Sequence, residues 1–247
     1  MQLSDIKKHY KKIIAVVCVI AVVIFSNCII AGKIVCRFAT KLHIDVNGNS
    51  VTDDDVENIK GLYFLKKLYI DNCDTNDLSF LENKNHLTDL SILRQKYDVN
   101  DTGIVDWSYL RKCKKLKNFE CAGRCTFRNL KDFSEMKKLE ELRISAEIGN
   151  YTIIESLDGL QDISGTLKAL TLNGIQNETV LNLEKFSNLR YLDIENSSLT
   201  EIRINSYLET LNISNNTNLR VIYLPSDYGQ PENIITNNSP YVNIIYE

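Results

Sequence analysis

Few residues of this 247-residue chain are spaced for metal binding or catalysis. The three histidines, His9, His43 and His86, lie far apart, and none belongs to the H-E-x-x-H pattern that holds a catalytic zinc ion. Cys121 and Cys125 form a pair without a second cysteine pair or a nearby histidine. The sequence contains no G-x-S-x-G nucleophile elbow, no phosphate-binding P-loop and no Rossmann dinucleotide-binding motif. We therefore expect no metal, no cofactor and no enzymatic activity.

The seven cysteines fall into two groups. Three of them lie in or beside a long apolar run near the amino terminus: Cys18, Cys28 and Cys36. In the second group, Cys73 and Cys121 are predicted to act as small buried hydrophobes. A disulfide between two of Cys113, Cys121 and Cys125 is the alternative that the sequence leaves open.

The apolar run over residues 13–32 is twenty residues without a charge, long enough to cross the roughly 30 Å hydrocarbon core of a bilayer as a helix. Four lysines within residues 1–12 precede it, which favours a cytoplasmic amino end and an extracytoplasmic body. We predict a cytoplasmic basic tail at 1–12, a transmembrane signal anchor at 13–32 and a juxtamembrane linker at 33–41. A cleaved signal peptide and a buried soluble helix are the alternatives.

Charge is distributed unevenly along the chain. Of the 29 Lys and Arg and the 32 Asp and Glu, residues 1–37 hold six and one, which leaves 23 and 31 for the rest. A body with that excess of acid repels phosphate backbones. Nucleic acid is therefore not an expected partner.

An L-x-x-L-x-L frame recurs along the chain and is the strand signature of a solenoid. The first leucines of successive copies are 22, 29, 23, 28, 22 and 19 residues apart. The seven copies are Leu65/Leu68/Ile70, Leu87/Leu90/Ile92, Leu116/Phe119/Cys121, Leu139/Leu142/Ile144, Leu167/Leu170/Leu172, Leu189/Leu192/Ile194 and Leu208/Leu211/Ile213. Shorter apolar groups between them, such as Leu181, Leu183 and Phe186, are predicted to fill a shared core from the opposite wall.

This frame resembles the leucine-rich repeat family, most closely the 22-residue bacterial type of internalin-like surface proteins, over about residues 42–247. The resemblance implies an α/β solenoid, a curved parallel sheet with an irregular convex side, preceded here by the single transmembrane helix. In the family pattern an Asn or Cys follows the last strand leucine by three residues, and only Cys73 and Asn216 match it here. We therefore expect irregular loops, above all in the copies of 28 and 29 residues.

The first and last repeats each lack a neighbour on one side, so capping segments must cover their apolar core. Alternating apolar residues at 42–46 predict a strand, and the capping-box pattern at 52–55 predicts the start of a short helix. We assign residues 42–64 to an amino-terminal cap or divergent repeat, 65–224 to the leucine-rich repeats, and 225–247 to a carboxyl-terminal loop and capping strand.

Residues between the strand leucines point outward on the concave sheet, because side chains alternate along a strand. Tyr and Arg dominate the energy of protein interfaces, so Tyr69, Arg143 and Tyr191 are the expected anchors. The predicted protein-binding residues are Tyr69, Asp71, Glu120, Arg143, Tyr191 and Asp193. A solvated face without a partner is the alternative.

The resemblance and the apolar run together predict a single-pass protein of the cell membrane that presents this concave surface outside the cell. The expected partner is a protein or a glycan, and the lipid bilayer is contacted through residues 13–32. Two other functions stay open: a structural protein that self-associates at the membrane, and a cytoplasmic regulatory interaction module.

Overall fold

The computed structural model describes residues 27–30, 33–44, 50–94, 105–146 and 152–247. Strands dominate these ranges, together with one α-helix, α1 (Asp53–Lys60), and short 3₁₀ helices. The strands are β1 (Asn27–Ile30), β2 (Lys33–Cys36), β3 (Lys41–Ile44), β4 (Lys67–Ile70), β5 (Asp89–Arg94), β6 (Asn118–Gly123), β7 (Cys125–Phe127), β8 (Glu141–Ser145), β9 (Thr152–Ile154), β10 (Ala169–Asn173), β11 (Val180–Leu183), β12 (Tyr191–Glu195), β13 (Glu201–Ile204), β14 (Thr210–Asn212), β15 (Val221–Leu224), β16 (Asn233–Ile235) and β17 (Asn243–Tyr246). The 3₁₀ helices are Ser79–Leu81, Trp107–Lys112, Lys131–Phe133, Leu160–Ile163 and Ser226–Tyr228.

A nine-stranded parallel sheet forms the concave wall, in the order β16-β14-β12-β10-β8-β6-β5-β4-β3. All seven predicted frames lie in it, in the predicted register. Leu142 and Leu170 are buried, whereas the side chain of Arg143 between the β8 leucine and isoleucine is 51% exposed. The period-two alternation thus separates the core from the outward face.

The convex wall of the amino-terminal repeats is built from 3₁₀ helices and aromatic side chains. The ring of Trp107 stacks on Phe127 with centroids 4.4 Å apart, and Phe119 meets Phe133 edge to face at 5.0 Å. Only the short parallel pair of β7 and β9 adds strand structure here, within the described ranges. This half has the irregular convex side that was expected.

The convex wall of the carboxyl-terminal repeats differs from the prediction, because it is a regular parallel sheet of order β11-β13-β15-β17. The physical reason is a second set of alternating apolar residues, out of phase with the first. These residues are Leu199/Ile202/Ile204 and Leu219/Ile222/Leu224, and all of them are buried. The capping strand predicted within residues 225–247 is strand β17, which ends this convex sheet.

The amino-terminal end also differs from the prediction. Residues 27–30, assigned to the end of the apolar helix, form strand β1, which pairs antiparallel with β2. Cys28 and Ile30 are buried while Ile29 is exposed, and Asn58 Nδ2 of α1 donates to the Ile29 carbonyl over 3.1 Å. This alternation suits a strand that packs by one face. The rest of the predicted helix, residues 13–26 and 31–32, lies outside the described residues.

None of the helices in the described ranges is long and apolar enough to span a bilayer. Helix α1 follows Thr52, whose backbone N–H donates to the Asp55 carboxylate over 3.1 Å in a capping box. Val56 and Ile59 turn its apolar side toward the core.

Two buried side chains hold the turns that follow the strands. Asn216 donates through Nδ2 to the Ile194 carbonyl (2.7 Å) and accepts from Ser197 N–H (3.0 Å), as the family pattern implies. In the amino-terminal half, Arg94 donates through Nη1 to the Thr75 carbonyl (2.6 Å) and through Nε to the Arg124 carbonyl (3.2 Å). A guanidinium therefore satisfies the backbone where the family asparagine is missing.

Among the described cysteines, Cys121 and Cys125 form a disulfide, one of the pairings that the sequence left open. Cys28, Cys73 and Cys113 are buried thiols. Burial raises the pKa of Cys73 to about 11 and that of Cys113 to about 12, so both stay protonated at neutral pH.

Candidate binding surface

The outward face of the nine-stranded sheet, here called the concave face, carries its side chains in rows across the strands. Strand pairing aligns the central row as His43, Tyr69, Ser91, Glu120, Arg143, Thr171, Asp193 and Asn212. Neighbouring members sit on strands about 4.8 Å apart. The backbone ladder therefore fixes the spacing of every functional group on this face.

A shallow depression of about 220 Å³ lies on the concave face over strands β4, β5, β6 and β8. It brings together Tyr69, Glu120 and Arg143, three of the residues predicted from sequence. Four further polar side chains line it that were not among the predicted binding residues: Asp89, Ser91, Asn118 and Glu141. Ser91 lies in the central row, and the other three occupy the outward position two residues before it, so the same alternation identifies them.

Hydrogen bonds inside the depression fix its polar groups. Ser91 Oγ donates to the Glu120 carboxylate over 3.0 Å, and Asn118 Nδ2 donates to Asp89 Oδ1 over 2.9 Å. Burial disfavours the charge on Asp89, but hydrogen bonds from Thr88 and Asn118 outweigh it and hold the pKa of this carboxyl below its ordinary value. The depression thus offers fixed acceptors around a half-exposed guanidinium, that of Arg143.

At the amino-terminal end of the concave face, the outward side chains contact one another. His43 Nε2 lies 2.9 Å from the Asp71 carboxylate, and the Lys41 ammonium lies 5.5 Å from the centre of the Tyr69 ring. The predicted residue Asp71 is therefore tied to His43 and does not line the depression.

The carboxyl-terminal part of the concave face is acidic. Burial raises the pKa of Asp193 to about 6, and the nearby Glu195 adds to this, against a hydrogen bond from Asn212. Oxygen Oδ1 of Asp193 is buried without a hydrogen-bond partner. Tyr191 is 47% exposed, and its hydroxyl bonds the Glu209 carboxylate. Tyr191 and Asp193 therefore form a second cluster, two strands away from Arg143.

The described side chains contain no group of three or more His, Cys, Asp or Glu arranged to hold a metal ion. The concave face is suited to hydrogen bonding and to packing against rings and charged groups of a partner.

No protein-family model matches the chain, and the curated proteins contain no match to it. Among solved structures, the chain is similar to the crystal structure of an internalin from Listeria monocytogenes strain 4b F2365. The two share 14% sequence identity over 86% of this chain and 89% of that chain, with a TM-score of 0.37. The strand register defines the class of fold by itself: the chain is a solenoid of the leucine-rich repeat type.

Proposed function

We propose that this chain is a membrane-anchored leucine-rich repeat protein whose concave face binds a protein partner outside the cell. The observation that carries the proposal is the depression in which Tyr69, Glu120 and Arg143 meet on a rigid sheet. A ring and a guanidinium held by the backbone ladder lose little conformational entropy on binding. The fixed carboxylates around them give the site polarity and orientation.

The membrane location rests on the sequence of the amino-terminal segment. Residues 13–26, which precede strand β1, carry no charge, and four lysines precede them. The four lysines favour presentation of the repeats on the outer side.

The binding role is tested by a crosslinking pull-down with the full chain from its native host. Replacement of Tyr69, Arg143 and Tyr191 by Ala is expected to weaken capture by more than about a hundredfold. The matched control replaces two exposed tyrosines and one exposed arginine away from the concave face: Tyr228, Tyr241 and Arg128. Equal capture by parent and triple variant would refute the concave-face site.

The location is tested separately with a reporter fused after Glu247. A reporter active only in extracytoplasmic compartments is expected to work. Activity of a cytoplasmic reporter instead would place the repeats inside the cell and favour the regulatory interaction module.

A structural role in self-association is the second candidate, and the last strands favour it. Strands β16 and β17 each pair on one side only within the described residues, and Ile235 of β16 is 39% exposed. Exposed strand edges promote pairing between chains. Sedimentation of the detergent-solubilised chain tests this: concentration-dependent association that Ile235→Lys removes would support assembly.

A further inference from the structure

One edge of the solenoid is formed by the turns that precede the strands of the nine-stranded sheet. In equivalent turns, the N–H of a buried leucine donates to the carbonyl three residues earlier, as in Leu87 to Lys84 (3.0 Å), Leu116 to Cys113 (2.9 Å) and Leu139 to Met136 (3.0 Å). The two residues between are the exposed tip. We call these tips, together with the residue after each leucine, the turn edge.

The backbone places the turn edge in register. At the residue after each leucine, the backbone N–H donates to the backbone carbonyl of the equivalent residue in the preceding repeat. These bonds join Lys117 to Thr88 (2.8 Å), Glu140 to Lys117 (2.7 Å), Lys168 to Glu140 (2.7 Å) and Arg190 to Lys168 (2.8 Å). Side chains at these positions therefore form continuous rows along the solenoid.

The turn edge is strongly basic, although the whole chain has a net charge of −3. Over its seven turns, from residue 63 to residue 209, it carries eight cations and two acids. The cations are Lys66, Lys114, Lys115, Lys117, Lys137, Lys138, Lys168 and Arg190, and the acids are Glu140 and Glu209. Hydrogen bonds from Lys168 (2.6 Å) and Lys117 (2.9 Å) hold the pKa of the Glu140 carboxyl below its ordinary value. Lys137 and Lys138 border an open groove of about 510 Å³, and Lys66 is exposed. Lys114 pairs with the Glu135 carboxylate over 3.6 Å, and Arg190 donates to the Tyr207 carbonyl over 3.2 Å.

Exposed aromatic rings continue the turn edge at its amino-terminal end. Phe38, Tyr63 and Phe64 are 63%, 55% and 50% exposed, and the rings of Phe38 and Phe64 are 5.9 Å apart. The next tip carries His86, whose Nδ1 lies 3.4 Å from the Lys115 ammonium. Aromatic and basic groups thus form one surface.

We propose that the turn edge docks against an anionic lipid bilayer, with Phe38, Tyr63 and Phe64 among the headgroups and the lysines on the lipid phosphates. Rings beside lysines are the composition of interfacial membrane contacts. Strand pairing places Asn27, the first residue after the uncharged segment 13–26, opposite Cys36, two residues before Phe38, so attachment through that segment brings these rings near the bilayer surface. The inference rests on the proposed membrane attachment and adds which side of the repeats faces the lipid.

The experiment is amine footprinting of the full chain in nanodiscs of dioleoylphosphatidylglycerol or dioleoylphosphatidylcholine. In the anionic discs, acetylation of Lys114, Lys115, Lys137 and Lys138 is expected to be at least about fivefold slower than in the neutral discs. Lys131, which is exposed on the convex wall, is the internal control and should react equally in both.

Matched charge variants sharpen the test. Lys137→Glu with Lys138→Glu is expected to abolish the protection of Lys114 and Lys115. Arg128→Glu with Lys131→Glu changes the same number of charges on the convex wall and should leave that protection intact.

Two results would overturn the inference: equal acetylation in both kinds of disc, or protection by soluble heparin without any protection by anionic lipid. Loss of the chain from the discs in an alkaline wash would refute the proposed anchor instead. In that case, acetylation of the chain on phosphatidylglycerol vesicles tests the docking of the turn edge separately. Protection of the turn-edge lysines there would support docking, and its absence would overturn it.

Discussion

The amino-terminal and carboxyl-terminal repeats share one concave wall but have different convex walls. In the first region, the convex side consists of 3₁₀ helices and stacked rings such as Trp107 on Phe127. In the second, it is a parallel sheet whose residues Ile202 and Ile222 are buried and paired in register. The concave frame therefore fixes the solenoid, and the local sequence decides how its other wall is built.

The difference follows from spacing and side-chain size. In the second region, apolar residues alternate again about halfway through each repeat, so a second strand forms and pairs with its neighbours. In the first region, large rings such as Phe133 fill the same space without a continuous ladder. Because each repeat contacts only its neighbours, the two regions should respond separately to mutation.

Phe133→Ala should have the largest effect. The buried ring contacts Phe119 and Phe127, and its removal leaves a cavity that costs about 3–5 kcal/mol. Hydrogen exchange should accelerate in residues 105–133 while β13 stays protected. Ile202→Ala is the counterpart and should cost about 2–5 kcal/mol with the reverse pattern. Uniform acceleration across both regions in either variant would show that they unfold as one unit.

The side chains that hold the turns give the next largest effects. Arg94→Met removes the hydrogen-bond donors of the Thr75 and Arg124 carbonyls. Asn216→Ala removes the partners of the Ile194 carbonyl and the Ser197 N–H. Each loss should cost about 2–3 kcal/mol in urea unfolding. Asn218→Ala at an exposed position should stay within about 0.5 kcal/mol. A neutral Arg94→Met would mean that this guanidinium does not replace the family asparagine.

Gly174 lies where the two convex walls meet, beside the bridge between Ile154 and Ile175. Its φ is +79°, and a Cβ there would lie 1.9 Å from the Thr152 carbonyl oxygen. Gly174→Ala should therefore lower stability by about 1–3 kcal/mol, measured by thermal unfolding. Gly165→Ala has open space around it and should be nearly neutral. If both substitutions were tolerated, the backbone at Gly174 would not be closely packed against the Thr152 carbonyl.

The alternation of core and outward residues could be predicted from sequence, and Leu142 and Arg143 show it. The convex sheet was missed because one frame was sought in each repeat, although Leu199/Ile202/Ile204 repeats the same pattern. Strand β1 was missed because residues 27–30 were interpreted as the end of the continuous apolar run 13–32, in which periodicity alone does not separate a buried strand from a helix. The pairing of Asp71 with His43 and the burial of Asp193 depend on neighbouring strands, which no single repeat reveals.

Two carboxyls of the concave face, one from each region, should give the smallest effects, with opposite signs. The folded state raises the pKa of Asp193 from 3.8 to about 6, so its protonated form stabilises the fold at low pH and this contribution is lost as pH rises through 6. Asp193→Asn should therefore stabilise the protein at pH 8, by up to about 1 kcal/mol after solvent screening, and change little near pH 3.

Asp89 behaves in the opposite way. The fold lowers its pKa, so its charged form stabilises the fold above the ordinary value, and the contribution disappears as pH falls through the lowered value. Asp89→Asn should destabilise the protein at pH 8 and approach the parent in acid. Urea midpoints of both variants between pH 3 and pH 8 check this. Curves that shift in the same direction would show that the two halves of the concave face do not differ in their electrostatic environment.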